Sequence, residues 1–428
     1  MRITVTRAKG IGGTLRGPSD KSLTHRAYMF GAIALGSSVV RQPLRGEDCE
    51  STLQCLRQMG LGAEWTGDSE IVLSPAAEWR QPEQELDCGN SGTTMRLMSG
   101  LIASRPISAT MIGDASLSRR PMGRIATPLR LMGAEIEGEQ PPLRIRGGEV
   151  LSSIHYQSPV ASGQIKSCVL LAGLRADGPT SVTEPSPSRD HTERMLRAMG
   201  VEVVSSNGNG HTVSVTPTDR LVPFEITVPA DISSAAFFIV AAGVLPGGRV
   251  LFRDLSVNPT RTGILDVMEM CGVGVEVLDP RDELGEPVAD VEVTAPSVLR
   301  PFRIGGSLVP RLIDEIPVLA VLATQCEGTS VIQDAGELRV KESDRIELMA
   351  NGLRAMGAKV ETRADGLEIT GPTPLKAVRL DAQGDHRIAM AFAIAGLLAD
   401  GQTEIEGAES IATSFPGFES ELKRLVVV

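Results

Sequence analysis

Leu353-Arg354-Ala355-Met356-Gly357-Ala358-Lys359-Val360-Glu361-Thr362 reads as the end of a helix, a glycine stop and the start of a short strand. The phrase recurs as LRQMGLGAEW around Gly60, LRLMGAEIEG around Gly133, LRAMGVEVVS around Gly200 and MEMCGVGVEV around Gly272. The terminal LKRLVVV reads as a truncated sixth copy. Each glycine suits the left-handed position that closes a helix before the chain turns back as a strand. Successive glycines lie 73, 67, 72 and 85 residues apart, and the charged, turn-rich LDPRDELGEPV at 278–288 accounts for the longest spacing. Units of about 70 residues are too long for a solenoid repeat but long enough for several strands and two helices. Six such units suggest an α/β protein of two halves, three units each.

Gly17-Pro18-Ser19-Asp20-Lys21-Ser22-Leu23-Thr24-His25-Arg26 opens the first helix. Gly-Pro stops an extended run, Ser19 can cap, and Leu23, Ala27, Phe30 and Ile33 fall near helical spacing; Gly36 is expected to end the helix. Ser22 and Arg26 share a face, and Lys21 sits where free N–H groups and the helix dipole favour an anion. A solvated first turn with incidental cations explains this stretch alone equally well. Asp231-Ile232-Ser233-Ser234 opens a later helix in the same way, without the lysine, and Pro229 precedes it as Pro18 precedes the first. Crossovers between the halves are therefore expected near 18–20 and 228–230. They divide the chain into a first domain, 19–228, and a second made of 1–18 and 229–428.

The 428 residues imply at least two domains with ample core. Net charge is −11, from 42 basic and 53 acidic residues, and aromatics make up 3%, which opposes both phosphate-backbone binding and base stacking. MRITVTRAKG lacks the apolar core of a signal peptide, and no apolar run reaches membrane-spanning length. Six cysteines without CxxC spacing read as buried thiols of a reducing cytoplasm, and five histidines without HExxH give no metal signature. A cytoplasmic chain with no nucleic-acid, membrane or metal partner follows.

Cations and hydroxyls recur at helix starts. Asp87-Cys88-Gly89-Asn90-Ser91-Gly92-Thr93-Thr94-Met95-Arg96, a glycine- and hydroxyl-rich loop running into a helix, can turn backbone N–H groups onto an anion, although a tight capping turn explains it as well. Ser118-Arg119-Arg120-Pro121 places Arg120 before a proline suited to the first helical position. Ser162-Gly163-Gln164 offers neutral donors, with capping alone an equal account of Ser162, and Ser188-Arg189-Asp190 repeats the arrangement with an arginine. Arg311-Leu312-Ile313-Asp314-Glu315 sets two acids among apolar residues, where a raised pKa would suit proton transfer; either could instead be a cap. In Lys341-Glu342-Ser343-Asp344-Arg345, a helix would put Lys341 and Arg345 on one face and Glu342 three residues from Arg345. Gly384-Asp385-His386-Arg387 opens IAMAFAIAGLLA, which is apolar almost all round. Together these describe a cationic cleft for small anions of several charges.

DKSLTHRA, GNSGTTMRL, SRRPM, SGQIKS, SRDHTE, RLIDE, LRVKESDR, GDHRIAM and IATSFPGF occur in the order found in 5-enolpyruvylshikimate-3-phosphate (EPSP) synthases, so the whole chain resembles that family. The resemblance implies a two-domain inside-out α/β barrel. Each domain would hold three βαβαββ repeats whose helix N-termini face an interdomain cleft. It implies transfer of the enolpyruvyl group of phosphoenolpyruvate to the 5-hydroxyl of shikimate 3-phosphate, with phosphate released through a tetrahedral intermediate and no cofactor. A monomer that glyphosate inhibits is expected. Lys21, Ser22, Arg26, Ser162, Gln164, Arg189, Asp314 and Lys341 would bind shikimate 3-phosphate. Lys21, Gly92, Arg120, Gln164, Arg345 and Arg387 would hold phosphoenolpyruvate. Glu342 and Asp314, assisted by Lys21 and Lys341, would move protons.

Three positions depart from the enterobacterial and plant pattern. Thr413 stands in place of a phosphate-binding lysine, Glu337 in place of asparagine and Ser188 in place of a tyrosine. The alternative is the sister transferase acting on UDP-N-acetylglucosamine. Lys21-Ser22 in place of its Lys-Asn, and GDASLSRRPM without its loop cysteine, oppose it.

Overall fold

A computed structural model of the chain describes residues 1–148, 150–208 and 210–427. It is a mixed α/β protein with twelve α-helices among the described residues, two to each repeat. They are α1 Lys21–Gly31, α2 Glu47–Gln58, α3 Gly92–Ala103, α4 Gly123–Leu131, α5 Gly163–Gly173, α6 His191–Ala198, α7 Ile232–Val244, α8 Gly263–Met270, α9 Ile316–Ala323, α10 Arg345–Ala355, α11 His386–Leu398 and α12 Phe418–Leu425. Odd-numbered helices are buried nearly all round, whereas even-numbered ones bury one face. The five repeated glycines have φ of 108, 96, 86, 86 and 96°, at Gly60, Gly133, Gly200, Gly272 and Gly357. A Cβ would be strained at each, so the recurring glycine is a backbone requirement.

One sheet recurs. Leu86–Asp87 runs parallel to Ser108–Ile112, which pairs antiparallel with Leu143–Arg146, which pairs with Glu135–Glu137. The same order joins His155–Gln157, Thr180–Glu184, Gly210–Val215 and Val203–Gly208, and again Arg303–Ile304, Gly328–Ile332, Gly366–Gly371 and Lys359–Arg363. In the first repeat the parallel strand is Glu225–Thr227, which joins Ser38–Arg41. In the fourth it is Gly10–Leu15, which joins Arg249–Ser256. The strand that leads into α1 thus belongs to the fourth repeat, and the strand that leads into α7 belongs to the first.

The chain accordingly divides into two compact units. One is residues 1–18, 229–281 and 287–428; the other is 19–228 with 282–286. Each has its own hydrophobic core. Residues 1–18 belong with 229–428 because Arg2–Thr6 pairs with Gln402–Glu406 and completes the sixth repeat. Val428 of LKRLVVV lies outside the described residues. Residues 278–288, read as turn-rich, are instead largely two strands, Gly274–Glu283 and Glu286–Thr294. Their turn has φ of 56° at Leu284 and 81° at Gly285.

Three expectations about helix starts need correction. Asp20, not Ser19, caps α1, accepting from the Leu23 N–H, and α1 ends at Gly31 rather than Gly36. Pro121 lies outside α4, so Arg120 sits in an extended connector after a 3₁₀ turn. Residues 341–344 precede α10, so Lys341 and Arg345 do not share a helix face. In each case a polar side chain nearer the hydrogen-bonded turn, or a 3₁₀ turn before it, moves the start by a few residues.

Candidate active site

In the unit built from 19–228, three odd-numbered helices begin with the sequence-predicted groups. Lys21 is the first residue of α1, and its ammonium lies 3.0 Å from Asp48 Oδ2. Ser22 is half-buried above Arg26. Arg26 is buried: its Nε donates to Thr192 Oγ1 at 2.8 Å, Nη2 to Ser167 Oγ at 2.9 Å and Nη1 to the Ser22 carbonyl at 3.0 Å. Burial is the main cause lowering its pKa, to about 10.

Gly92 begins α3, capped by Ser91. A Cβ there would lie 3.0 Å from Arg96 Nη1 and 3.4 Å from Arg120 Nη1, so two guanidiniums border the Gly92 backbone. Arg120 Nη2 donates to Asn90 Oδ1 at 2.7 Å. Arg96 Nη1 donates to Gln164 Oε1 at 2.7 Å, and Gln164 Nε2 donates to Thr93 Oγ1 at 3.0 Å, which brings the starts of α3 and α5 together. Ser162 caps α5, and Arg189 lies half-buried with its backbone against Gly163. Arg96 was not singled out from sequence, although its place one turn into α3 is the available signal.

Beneath these groups runs a buried chain of hydroxyls. His25 Nδ1 is 2.7 Å from Thr52 Oγ1, Thr52 is 2.6 Å from Thr94 Oγ1, and Thr94 is 2.7 Å from Ser91 Oγ. Burial pushes the His25 pKa down from 6.5 to about 3. The folded protein therefore keeps His25 neutral while the unfolded chain takes up a proton below about pH 6.5. This contribution is complete above pH 6.5 and is lost as pH falls toward 3, at about 1.4 kcal/mol per pH unit. Equilibrium urea unfolding of His25→Gln should accordingly show a shallower fall of stability between pH 6.5 and 4.5 than the parent. Equal slopes would mean that His25 does not titrate on unfolding.

In the other unit the acids and cations form one cluster. Asp314 Oδ1 lies 3.3 Å from Arg345 Nη1 and 3.5 Å from the Lys341 ammonium, and Asp314 Oδ2 lies 3.9 Å from Arg387 Nη2. Arg345 Nη2 meets Glu342 Oε2 at 2.6 Å, and its Nε meets Asp385 Oδ2 at 2.8 Å. Arg345 is buried, and although desolvation opposes its charge, Asp385, Glu342 and Asp314 raise its pKa above the ordinary value. Asp385 is buried too; Arg345 holds it below the usual carboxylate range against desolvation. It also caps α11, accepting from the N–H groups of Arg387 and Ile388. Arg387 Nη1 donates to the Asp314 and Ser233 carbonyls, at 3.3 and 3.4 Å. Sequence reasoning named Asp314, Lys341, Glu342, Arg345 and Arg387 but gave Asp385 no role; its position just before a buried helix is the signal. Thr413 is half-buried at the end of a 3₁₀ turn, Ala408–Thr413. Glu337 lies in the 3₁₀ turn Gly336–Val340.

The chain is similar to known proteins along nearly its whole length. The family model for EPSP synthase (3-phosphoshikimate 1-carboxyvinyltransferase) matches residues 5–422. A 3-phosphoshikimate 1-carboxyvinyltransferase of Brevibacillus brevis is 51% identical over 430 residues, covering 99% of each chain. One of Geobacillus kaustophilus is 47% identical, covering 98% of this chain and 99% of its own. A solved EPSP synthase of Acinetobacter baumannii superposes with a TM-score of 0.89 at 43% identity, covering 100% of this chain and 98% of its own. With a recurring βαβαββ unit and nine ordered motifs beside that match, the chain belongs to the EPSP synthase family, the enolpyruvyl transferases of the shikimate pathway.

Proposed function

We propose that the residues at these helix starts divide the substrates of the transfer as follows. Lys21, Ser22, Arg26, Ser162, Gln164, Arg189, Asp314 and Lys341 hold shikimate 3-phosphate. Lys21, Gly92, Arg120, Gln164, Arg345 and Arg387 hold phosphoenolpyruvate. The observation that carries the assignment is Asp314, a carboxylate shared by Lys341, Arg345 and Arg387, with Glu342 on the same guanidinium. Cations so placed can stabilise charge on a carboxylate and a phosphate, and the carboxylates can move protons.

The reaction is an addition followed by an elimination. Carbon 3 of the enolpyruvate takes a proton while the 5-hydroxyl loses one and attacks carbon 2. Phosphate then leaves as carbon 3 gives a proton back. Glu342 and Asp314 are the groups for these transfers, and Lys21 and Lys341 stabilise the charge that accompanies them. The chain acts as a cytoplasmic monomer without a cofactor. No helix among the described residues is long and apolar enough to cross a membrane.

Calorimetric titration separates the two groups of ligands. Arg189→Ala should weaken shikimate 3-phosphate by about tenfold or more, a charge-assisted hydrogen bond's worth. Arg387→Ala should leave that affinity in place and raise KM for phosphoenolpyruvate. The reverse pattern would overturn the division.

Gly92 bears on inhibition. Its φ lies outside the left-handed region, so alanine fits the backbone, but its methyl would crowd Arg96 and Arg120. Glyphosate, acting at the phosphoenolpyruvate site, should inhibit competitively, blunted by the missing cation at Thr413. Gly92→Ala should raise the inhibition constant by about tenfold, the scale of overpacking, and the Michaelis constant for phosphoenolpyruvate by less. Equal changes in the two constants would contradict a steric role for Gly92.

A further inference from the structure

Lys166 lies in the first turns of α5, the only charged residue of that helix, and its side chain has no solvent exposure. Its ammonium lies 3.0 Å from Glu184 Oε2 and 2.8 Å from Glu193 Oε1, and donates to the Ser188 carbonyl at 3.3 Å. Both carboxylates are fully buried as well. Burial opposes the lysine's charge, but Glu193 and Glu184 more than offset it and hold its pKa above the ordinary value. Such a set is costly to desolvate, and stability alone would be served as well by apolar side chains.

The charges hold backbone in place. Glu184 Oε1 accepts from the Ser162 N–H at 2.6 Å, and both Glu184 oxygens accept from Ser188 Oγ at 2.8 Å. One carboxylate thereby ties the cap of α5 to the turn that carries Arg189. On the far side, the negative charge of Glu193 favours the charged form of Arg26. Arg26 itself bonds Thr192, beside Glu193, and Ser167, beside Lys166.

We propose that Lys166, Glu184 and Glu193 form a positioning assembly for shikimate 3-phosphate. They set the spacing between the Ser162 cap and the Ser188–Arg189 turn and touch no substrate themselves. This rests on the assignment of Ser162 and Arg189 to that substrate.

Steady-state kinetics of Glu184→Gln test it. KM for shikimate 3-phosphate should rise by about tenfold or more, as when groups that orient a ligand-binding residue are lost, while kcat and KM for phosphoenolpyruvate stay within about twofold. The triple variant Lys166→Met/Glu184→Gln/Glu193→Gln removes all three buried charges, so none is left without its partner. It should regain thermal stability but keep the raised KM. If Glu184→Gln does not fold, the triple variant and Glu184→Asp carry the same test. A KM that recovers together with stability, or a parallel rise for both substrates, would overturn the positioning role. Arg189→Ala tells the two levels apart. Unchanged shikimate 3-phosphate affinity in that variant removes the site assignment. Lost affinity there, with unchanged affinity in the Glu184 variants, removes the positioning assembly alone.

Discussion

Glu342→Gln should lower turnover by about 10²–10⁴-fold while leaving shikimate 3-phosphate affinity nearly intact. Glu342 Oε2 accepts from Arg345 Nη2 at 2.6 Å, and an amide oxygen in the same place can accept that bond. The arginine would keep its other partners, Asp314 and Asp385. The variant therefore removes a group able to take and return a proton while preserving the cluster's shape. Pre-steady-state phosphate release separates chemistry from binding. Equal losses of affinity and turnover would make Glu342 a binding residue.

Lys21→Ala should reduce kcat/KM at least about hundredfold, the scale on which a preorganised donor at developing charge acts. Its cost to stability should be small. Lys21 sits in the first turn of α1 with a partly exposed side chain paired to Asp48 at 3.0 Å, and such pairs contribute about 0–1 kcal/mol. Thermal unfolding of the variant should stay within a few degrees of the parent. Substantial retained turnover would return Lys21 to the solvated first turn that its sequence alone allows.

These two residues were legible because their chemistry is local: a lysine at a helix start, a glutamate three residues from an arginine. The repeat glycines were legible for a related reason, since a left-handed stop depends on the residue itself. Helix starts were less so. Asp20 and Ser19 can both cap, and only the hydrogen bond to Leu23 separates them. Lys341 and Arg345 converge on Asp314 through a connector, not through helical periodicity. Partners distant in sequence were not legible at all. Asp48 beneath Lys21, Asp385 beside Arg345 and Glu184 beside Lys166 meet their cations only after the repeats pack.

Release of inorganic phosphate from phosphoenolpyruvate decides the matter with the whole chain and no variant. In the presence of shikimate 3-phosphate, phosphate should appear in step with a product carrying the enolpyruvyl group on the 5-hydroxyl. With UDP-N-acetylglucosamine in its place there should be none. Phosphate release with UDP-N-acetylglucosamine and not with shikimate 3-phosphate would contradict the account.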